Sequence, residues 1–427
     1  MREMKDSKVK WLGVIPLEWK VERVKHGFIR KKAEAHQDNP IVLSLARTGV
    51  RERDISNNEG QIAESYYNYN PVDVDDLLIN PMDLYSGANC SISKISGVIS
   101  PAYVNLRYRE GYNPQYYDYY FKMQYWLMAF FAHGKGVSYE NRWTLTAETL
   151  MNYPIIVPTE CEQRKIVDYL DAKCSKIDGI IEKQQAIIER LKEYKLSIIT
   201  EIVTKGLKHN VKMKDSGVRF VDTIPYDWEN RKMITILSTR VVDGPHESPE
   251  LYDRGIPYIS ATAIVNGKID FSLMRGYISK EYCEICDKRY SPQRGDLLVV
   301  KLGASTGQVA IVDTDERFNI WVPLAAVRCN DEALPKFVYY AFQSDYFVRQ
   351  MELSWTFGTQ QTLGVQTIEK LRILLPPIAE QRNIVKFLDT IYDYIGSKIE
   401  KVEKMIEKLE EYKKSLIYEV VTGKKEV

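Results

Sequence analysis

An excess of charge of one sign is what this sequence most plainly lacks. Lys and Arg total 59 and Asp and Glu 58 in 427 residues, a formal net charge of +1. That balance excludes an overall basic or acidic excess, but it leaves nucleic acid open as a partner, because a basic stripe fits inside a neutral total. Long apolar runs are also missing. The densest, Trp126 to Ala132, is cut short by His133 and Gly134, far below the ~18 residues of a membrane span. Met1 to Lys10 is charged and has no apolar core of a secretory signal. Cysteine is scarce, with six in the chain. Without a secretory signal, reduced thiols in a cytoplasm are expected rather than a disulfide framework.

Motifs of catalysis are equally thin. No Gly-x-x-x-x-Gly-Lys-Ser/Thr loop occurs, and Gly303 to Gly307 lacks the lysine that would reach phosphates. Asn80-Pro81-Met82-Asp83 has part of the Asn/Asp-Pro-Pro-aromatic corner of adenine methyltransferases. The second proline and the aromatic are missing, and no glycine-rich cofactor strand precedes it, so it reads as a strand-ending turn. Cys283 and Cys286 form a Cys-x-x-Cys with no second pair at zinc spacing, and Cys90, Cys161, Cys174 and Cys329 stand alone. These are expected to be small buried hydrophobes, with no metal site. The five histidines have no neighbours placed as in a nucleophilic triad. No catalytic residue and no cofactor are assigned to the chain.

What remains is ordinary globular material, 44% hydrophobic and 27% charged, enough for two to four domains at ~100–200 residues each. One anomaly is the 29 tyrosines, whose apolar rings and polar tips suit cores and recognition surfaces alike. The decisive feature is an internal repeat. Glu162-Gln163-Arg164-Lys165-Ile166-Val167 recurs as Glu380-Gln381-Arg382-Asn383-Ile384-Val385, and the same shift carries Leu170-Asp171, Glu193-Tyr194-Lys195 and Val203-Thr204 onto Leu388-Asp389, Glu411-Tyr412-Lys413 and Val421-Thr422. A weaker repeat opens each half: Lys5-Asp6-Ser7, Ile15-Pro16 and Trp19 return as Lys214-Asp215-Ser216, Ile224-Pro225 and Trp228. Ungapped agreement over such stretches is not chance. The order is variable module (1–157), shared segment (158–208), variable module (209–375), shared segment (376–427).

The shared segments read as long helices. Ile395, Ile399, Val402, Ile406 and Leu409 step by 4, 3, 4, 3, and Ile177, Ile181, Gln184, Ile188 and Leu191 keep the same phase in the first copy. This is a heptad seam with Glu and Lys filling most other positions. Pro158 and Pro376-Pro377 mark where helix can begin, and Gly206 and Gly423 where it stops. Such a stripe needs a partner: the other copy, in antiparallel pairing, or the helix's own module. At ~1.5 Å per residue the stretch Glu162 to Thr204 spans up to ~65 Å.

The modules read as mixed α/β. Asp76 to Ile79, Asp296 to Val300 and Gln308 to Val312 look like short buried strands, and Tyr116 to Phe131 and Lys336 to Leu353 look helical. Two polar, glycine-containing loops stand in matching places before the shared helices, Gly134 to Arg142 and Phe357 to Thr362. Asn, Gln and Arg pair with base edges, whereas Lys, Ser and Thr suit phosphate oxygens. Candidate DNA contacts are therefore Lys135, Ser138, Tyr139, Asn141, Arg142, Thr359, Gln360 and Gln361. To these are added His246 and, around Gly303 to Gly307, Lys301, Ser305 and Thr306. The alternative is that these are strand connections with polar side chains in water, and that His246 merely structures its loop.

Taken together the pattern resembles the specificity subunit of type I restriction–modification enzymes, over essentially the whole chain. The duplicated Pro-x-x-x-Glu-Gln-x-x-Ile segments at Pro158 and Pro376 carry the resemblance. So do Asp243-Gly244-Pro245-His246, Gly255-Ile256-Pro257-Tyr258-Ile259, Gly295-Asp296-Leu297-Leu298 and Gly303 to Gly307 in the second module. The first module has Asn80 to Asp83 and Ser100-Pro101-Ala102-Tyr103 instead, like another subclass of the same domain, so the modules are expected to read different DNA sequences. The resemblance implies two α/β (α+β) target-recognition domains separated by two long antiparallel coiled-coil spacer helices, with a pseudo-two-fold repeat. It implies a non-catalytic, DNA-binding cytoplasmic subunit that reads the two halves of a bipartite site across a fixed gap. Its implied partners are double-stranded DNA, two modification subunits using S-adenosylmethionine to methylate adenine N6, and two restriction subunits using ATP and Mg. The rival expectations are a coiled-coil interaction scaffold that binds no DNA, a self-sufficient DNA-modifying enzyme, or the specificity subunit of a related two-half-site system.

Overall fold

A computed structural model describes residues 2–37, 39–55, 63, 65–82, 84, 89–136, 143–357 and 361–427. The chain divides into two compact units, Met1–Gln184 with Glu403–Val427, and Gln185–Val402. This division cuts across the sequence segments: each unit holds one module together with half of each long helix.

In the first unit a hairpin, Met4–Asp6 with Val14–Pro16, precedes the strand Lys20–Arg23. That strand pairs antiparallel with Pro154–Val157, so the module's beginning and end meet just before the long helix. Between them lies a four-stranded antiparallel sheet in the order Phe28–Lys31, Val104–Tyr108, Leu77–Ile79, Cys90–Ile92. The second unit repeats the plan. Its hairpin is Met213–Val218 with Val221–Pro225, its closing pair Glu229–Lys232 with Arg372–Leu375, and its sheet runs Val242–Asp243, Leu324–Val327, Leu297–Val300, Val309–Ile311. It adds a three-stranded sheet of Gly276–Ile278, Ile256–Ile259 and Asn319–Ile320.

The Asp-Leu-Leu echo has a structural cause. Asp76 accepts hydrogen bonds from Asp73 N at 2.9 Å, Lys31 Nζ at 2.7 Å and Arg107 Nη1 at 3.1 Å. Asp296 accepts from Gln293 N at 2.9 Å and, through both oxygens, from Arg328. In each module a buried carboxylate closes the turn that launches the central strand, and an arginine neutralises it, Arg107 on the neighbouring strand and Arg328 just past its end.

Of the 29 tyrosines, ten among the described residues are buried, and half of these cluster in the first module. Asn113 caps the helix Pro114–Trp126 by accepting from Gln115 N and Tyr116 N, with proline at its first position. Its buried face is aromatic, and the phenol tips end on backbone carbonyls: Tyr116 on Val421 O, Tyr117 on Ile156 O, Tyr120 on Pro154 O and Tyr125 on Asn80 O. Rings supply the buried area and hydroxyls satisfy oxygens that would otherwise be stranded. Helix is not continuous from Tyr116 to Phe131, as the sequence pattern suggests. It breaks at Met128, in the left-handed region (φ 56°), and resumes over Ala129–Ala132. The stretch 336–353 also divides, into Pro335–Gln343 and Asp345–Leu353, because Ser344 is extended and its hydroxyl donates to the Ala341 carbonyl at 2.5 Å.

The shared segments are helices of 46 and 44 residues, Glu160–Lys205 and Ile378–Val421. Thr159 and Glu162 form a capping box at the first, the hydroxyl taking Glu162 N and the carboxylate taking Thr159 N. Both helices end at a glycine with positive φ, Gly206 (76°) and Gly423 (72°), where a side chain would be strained. Every seam residue is covered. Ile177, Ile188 and Ile395 are buried, whereas Ile181, Gln184, Leu191, Ile399, Val402, Ile406 and Leu409 are half-buried; Glu182, Lys183, Ile187 and Glu189 between them are exposed. In the first unit the N-terminal half of one helix packs with the C-terminal half of the other: Ile177 shares a cluster with Leu416, Ile417 and Val420, and Lys413 pairs with Asp178 at 2.6 Å. In the second unit the halves are exchanged, with Ile199 and Val203 clustered with Ile384 and Leu388, and Lys195 over the Tyr392 ring at 4.0 Å. The helices also pack on their modules, as Tyr119 donating to Asp171 and Tyr340 donating to Asp389 show. Both proposed partners of the stripe are real. No helix among the described residues is long and apolar enough to cross a membrane.

The repeated Glu-Gln pair is architectural. Glu162 accepts from the Trp19 indole at 3.1 Å, and Glu380 from the Trp228 indole at 3.2 Å. Gln163 takes Asn113 N and donates to Gly111 O and Pro158 O; Gln381 takes Leu334 N and donates to Glu332 O and Pro376 O. Each amide staples helix start, module loop and helix cap through three backbone groups. Gln381→Leu leaves all three without their partner, Pro376 O fully buried and the other two partly so, so a loss of ~1–3 kcal/mol is expected in urea unfolding. Arg382→Ala, at an exposed position one residue on, should stay within ~0.5 kcal/mol of the parent. Equal effects would show that the amide is not the staple.

Candidate nucleic-acid interface

Sheet order brings the described ends of the loops singled out in the sequence to one end of each module. In the second module the strand Leu297–Val300 runs out into Lys301 to Gln308, and Val242–Asp243 runs out into the Gly244-Pro245-His246 loop. The antiparallel neighbour Leu324–Val327 is entered from Trp321 to Pro323 at the same end. Backbone bonds tie these together: Lys301 N to Pro323 O (2.8 Å), Gly303 N to Gln361 O (3.2 Å) and Leu363 N to Lys301 O (2.8 Å). The hairpin Thr356–Phe357 with Gln361–Thr362 therefore stands beside the glycine-rich turn.

The first module has the same construction. The strand Leu77–Ile79 runs into Asn80-Pro81-Met82, Leu145 N donates to Pro81 O at 2.8 Å, and Lys135 and Thr144 exchange backbone bonds at the base of the intervening loop. Asn80 is the strand-ending turn expected of it, its side-chain oxygen accepting from Met82 N at 2.9 Å.

The electrostatic centre of the second module's end is Asp243, nearly buried. Its Oδ2 lies 2.8 Å from Lys301 Nζ and 3.4 Å from His246 Nε2, and Arg289 donates to its Oδ1. Burial pushes the carboxyl up, but the Lys301 hydrogen bond and the surrounding cations win and hold it below the usual carboxylate range. Two outward-facing groups, His246 and Arg289, are thereby fixed on a buried anion with more positive than negative charge around it.

This arrangement corrects part of the sequence assignment. Lys301 is not a surface cation; it is buried against Asp243. Thr306 is also buried, its hydroxyl donating to Gly303 O at 2.7 Å and Gln361 O at 3.3 Å, so it joins turn to hairpin. Lys135 and His246 are exposed, and Ser305 and Gln361 half-buried, at these loop ends. Ser138, Tyr139, Asn141, Arg142, Thr359 and Gln360, like Asp83, lie outside the described residues. Two groups escaped sequence reasoning. Arg289 reaches Asp243 from 46 residues away. Arg275 stacks its guanidinium 3.4 Å from the Trp321 ring centre, and that indole donates to Glu247 O beside His246. Nothing local in the sequence marks either.

Because Asp243 is depressed in the folded protein, its contribution is present above the ordinary carboxylate range and is lost as pH falls through the folded value. Asp243→Asn should therefore cost ~1–3 kcal/mol in urea at pH 7. The gap to the parent should close as both are acidified past the ordinary carboxylate range, where the parent's own depressed carboxylate finally protonates. A gap independent of pH would contradict the ion-pair assignment.

Cys283 and Cys286 are buried on the helix Lys280–Asp287, and burial pushes the Cys286 thiol up to about 11. Among the described residues no group of three or more His, Cys, Asp or Glu is placed to hold a metal ion.

Residues 226–411 match the family model of the type I restriction modification DNA specificity domain. The chain is 23% identical over 419 residues to the type I restriction enzyme EcoBI specificity subunit of Escherichia coli, covering 94% of this chain and 84% of that one. It is 22% identical to the MjaVIII specificity subunit of Methanocaldococcus jannaschii, covering 82% and 80%. A solved chain from a study of complex assembly and conformational transition of the type I R-M system shares the fold, with TM-score 0.66 over 95% of this chain and 98% of that one at 16% identity. With the duplicated Glu-Gln staple and the twice-built sheet end, these likenesses identify residues 226–411 as a type I restriction modification DNA specificity domain and make the chain as a whole similar to the specificity subunits of type I restriction enzymes.

Proposed function

We propose that each module reads one half of a bipartite site on double-stranded DNA, and that the two long helices act as an antiparallel coiled-coil spacer setting the gap between half-sites. The observation that carries this is the duplication itself: the same sheet end, with hairpin and strand-exit loop tied by equivalent backbone bonds, built once on each module from different side chains. One scaffold offered twice with different surface residues is what a split, asymmetric recognition sequence requires. His246, Arg289 and Lys135 suit phosphate contact, and Arg275 on Trp321 suits a base edge or a phosphate.

In this reading the segments 1–157 and 209–375 are the recognition domains, and 158–208 and 376–427 the spacers with pseudo-two-fold equivalence. Two modification subunits carrying S-adenosylmethionine, and two restriction subunits using ATP and Mg, assemble on the chain. Two equivalent seats for a partner are supported by the exposed residues that the repeat preserves. Tyr194 and Tyr412 are 59% and 56% exposed, each following an exposed glutamate, Glu193 and Glu411. Large exposed aromatics kept in both copies are a binding surface in search of cover. Mapping modified adenines across host DNA, with and without the gene, tests the function. A two-part methylated motif that vanishes on deletion is expected, and an unchanged pattern would refute it.

A further inference from the structure

The repeat exposes one place where the two units differ in filling. In the first unit three rings close the space beside the N-terminal hairpin: Trp11 lies 5.0 Å from His133 and 5.6 Å from Tyr153, and both Trp11 Nε1 and Tyr153 OH donate to Gln124 Oε1. The equivalent positions in the second unit follow from register. Phe220 holds the hairpin place of Trp11, since Met4 pairs with Pro16 as Met213 pairs with Pro225. Ser354 stands two residues before Thr356 as His133 stands two before Lys135, and Leu371 precedes the closing strand as Tyr153 does. With smaller groups at all three, the space is an open groove of about 300 Å³. Phe220 is 41% exposed and Leu353, on its wall, 61%. Arg219 and Lys370 stand exposed on its rim and are not ion-paired among the described residues, whereas nearby Arg349 is already paired with Asp345.

We infer that this groove is a docking site for a partner polypeptide that inserts an aromatic side chain flanked by carboxylates. The first unit supplies the template, because there the same pocket is satisfied by the chain's own rings. The two rim cations supply the sign of the flanking charge. The groove offers Phe220, Leu353 and Leu371 to the ring, with Gln350, Ser354 and Thr367 beside them and the two cations at the rim, and aromatic anchors seated in such pockets are common binding hot spots. The inference stands apart from the DNA reading and involves none of the loops assigned to it.

The test uses the full-length chain and a labelled peptide, acetyl-Asp-Glu-Trp-Glu-Asp-amide, followed by fluorescence anisotropy. Saturable binding is expected, weakened at least about tenfold when the peptide's Trp is replaced by Ala, since burial of one aromatic side chain is worth a factor of that order or more. Filling the groove by Ser354→His with Leu371→Tyr should weaken it as much while leaving binding of a DNA duplex unchanged. Lys370→Glu, at an exposed position that cannot unsettle the core, should weaken it several-fold and give the readout if the filled variant folds poorly. Absence of saturable binding, or equal binding of the Ala peptide, would overturn the proposal. So would loss of duplex binding on filling, which would make the groove a nucleic-acid contact, or loss of a concentration-dependent dimer, which would make the occupant a second copy.

Discussion

Ile395→Asp should yield a protein whose modules remain folded but which no longer supports site-specific methylation when combined with its partner subunits. Ile395 lies in the heptad seam of the second long helix and is 2% exposed. Truncating it removes apolar contacts worth ~2–5 kcal/mol, and the unpaired carboxylate adds a desolvation cost. Each module has its own aromatic and aliphatic core, so circular dichroism should retain most of its signal while urea unfolding shifts strongly. Ile395→Val should cost only ~0.5–1.5 kcal/mol and leave methylation intact. Ile406, in phase but half-buried, can turn a carboxylate toward water, so Ile406→Asp should be the milder variant. Parental stability and methylation by Ile395→Asp would mean that the seam is not what holds the helices together.

Lengthening both helices by four residues, after Gln185 and after Glu403, should lengthen the unspecified gap and leave both half-site sequences alone. Four residues add ~6 Å of helix, close to two base pairs at ~3.4 Å each. Insertion of four residues is a stutter that a coiled coil absorbs by local unwinding, so the seam can reform beyond it. The methylated motif of the lengthened complex reads the result. An active complex with an unaltered gap would show that the helices do not set the spacing.

The seam was legible because its period is a local property: Ile395, Ile399, Val402, Ile406 and Leu409 announce one face of a helix without knowledge of anything else. The repeat extended this, and the glycine stops at Gly206 and Gly423 followed from backbone sterics alone. The Glu-Gln pair was visible as a signature but not as a mechanism. The staple by Gln381 depends on the carbonyls of Glu332 and Pro376, and the first of these belongs to a loop 49 residues away. Breaks at Met128 and Ser344 were invisible to periodicity, since apolar residues continue on both sides. At the candidate site, turn chemistry picked out the loops, and only sheet order could gather them at one end. Lys301 and Thr306 looked like surface contacts because a polar glycine-rich loop usually faces water. Asp243 and Gln361, distant in sequence, turn them inward. Arg289 and Arg275 were missed for the converse reason, their partners being set by tertiary packing rather than by neighbours in the chain.

The most direct measurement is the methylated motif of a chimera in which residues 1–157 are replaced by the corresponding module of another specificity subunit, assembled with the modification subunits. The account predicts a motif with one half exchanged, the other half retained and the gap unchanged. A motif altered in both halves, or in neither, would contradict the assignment of one half-site to each module.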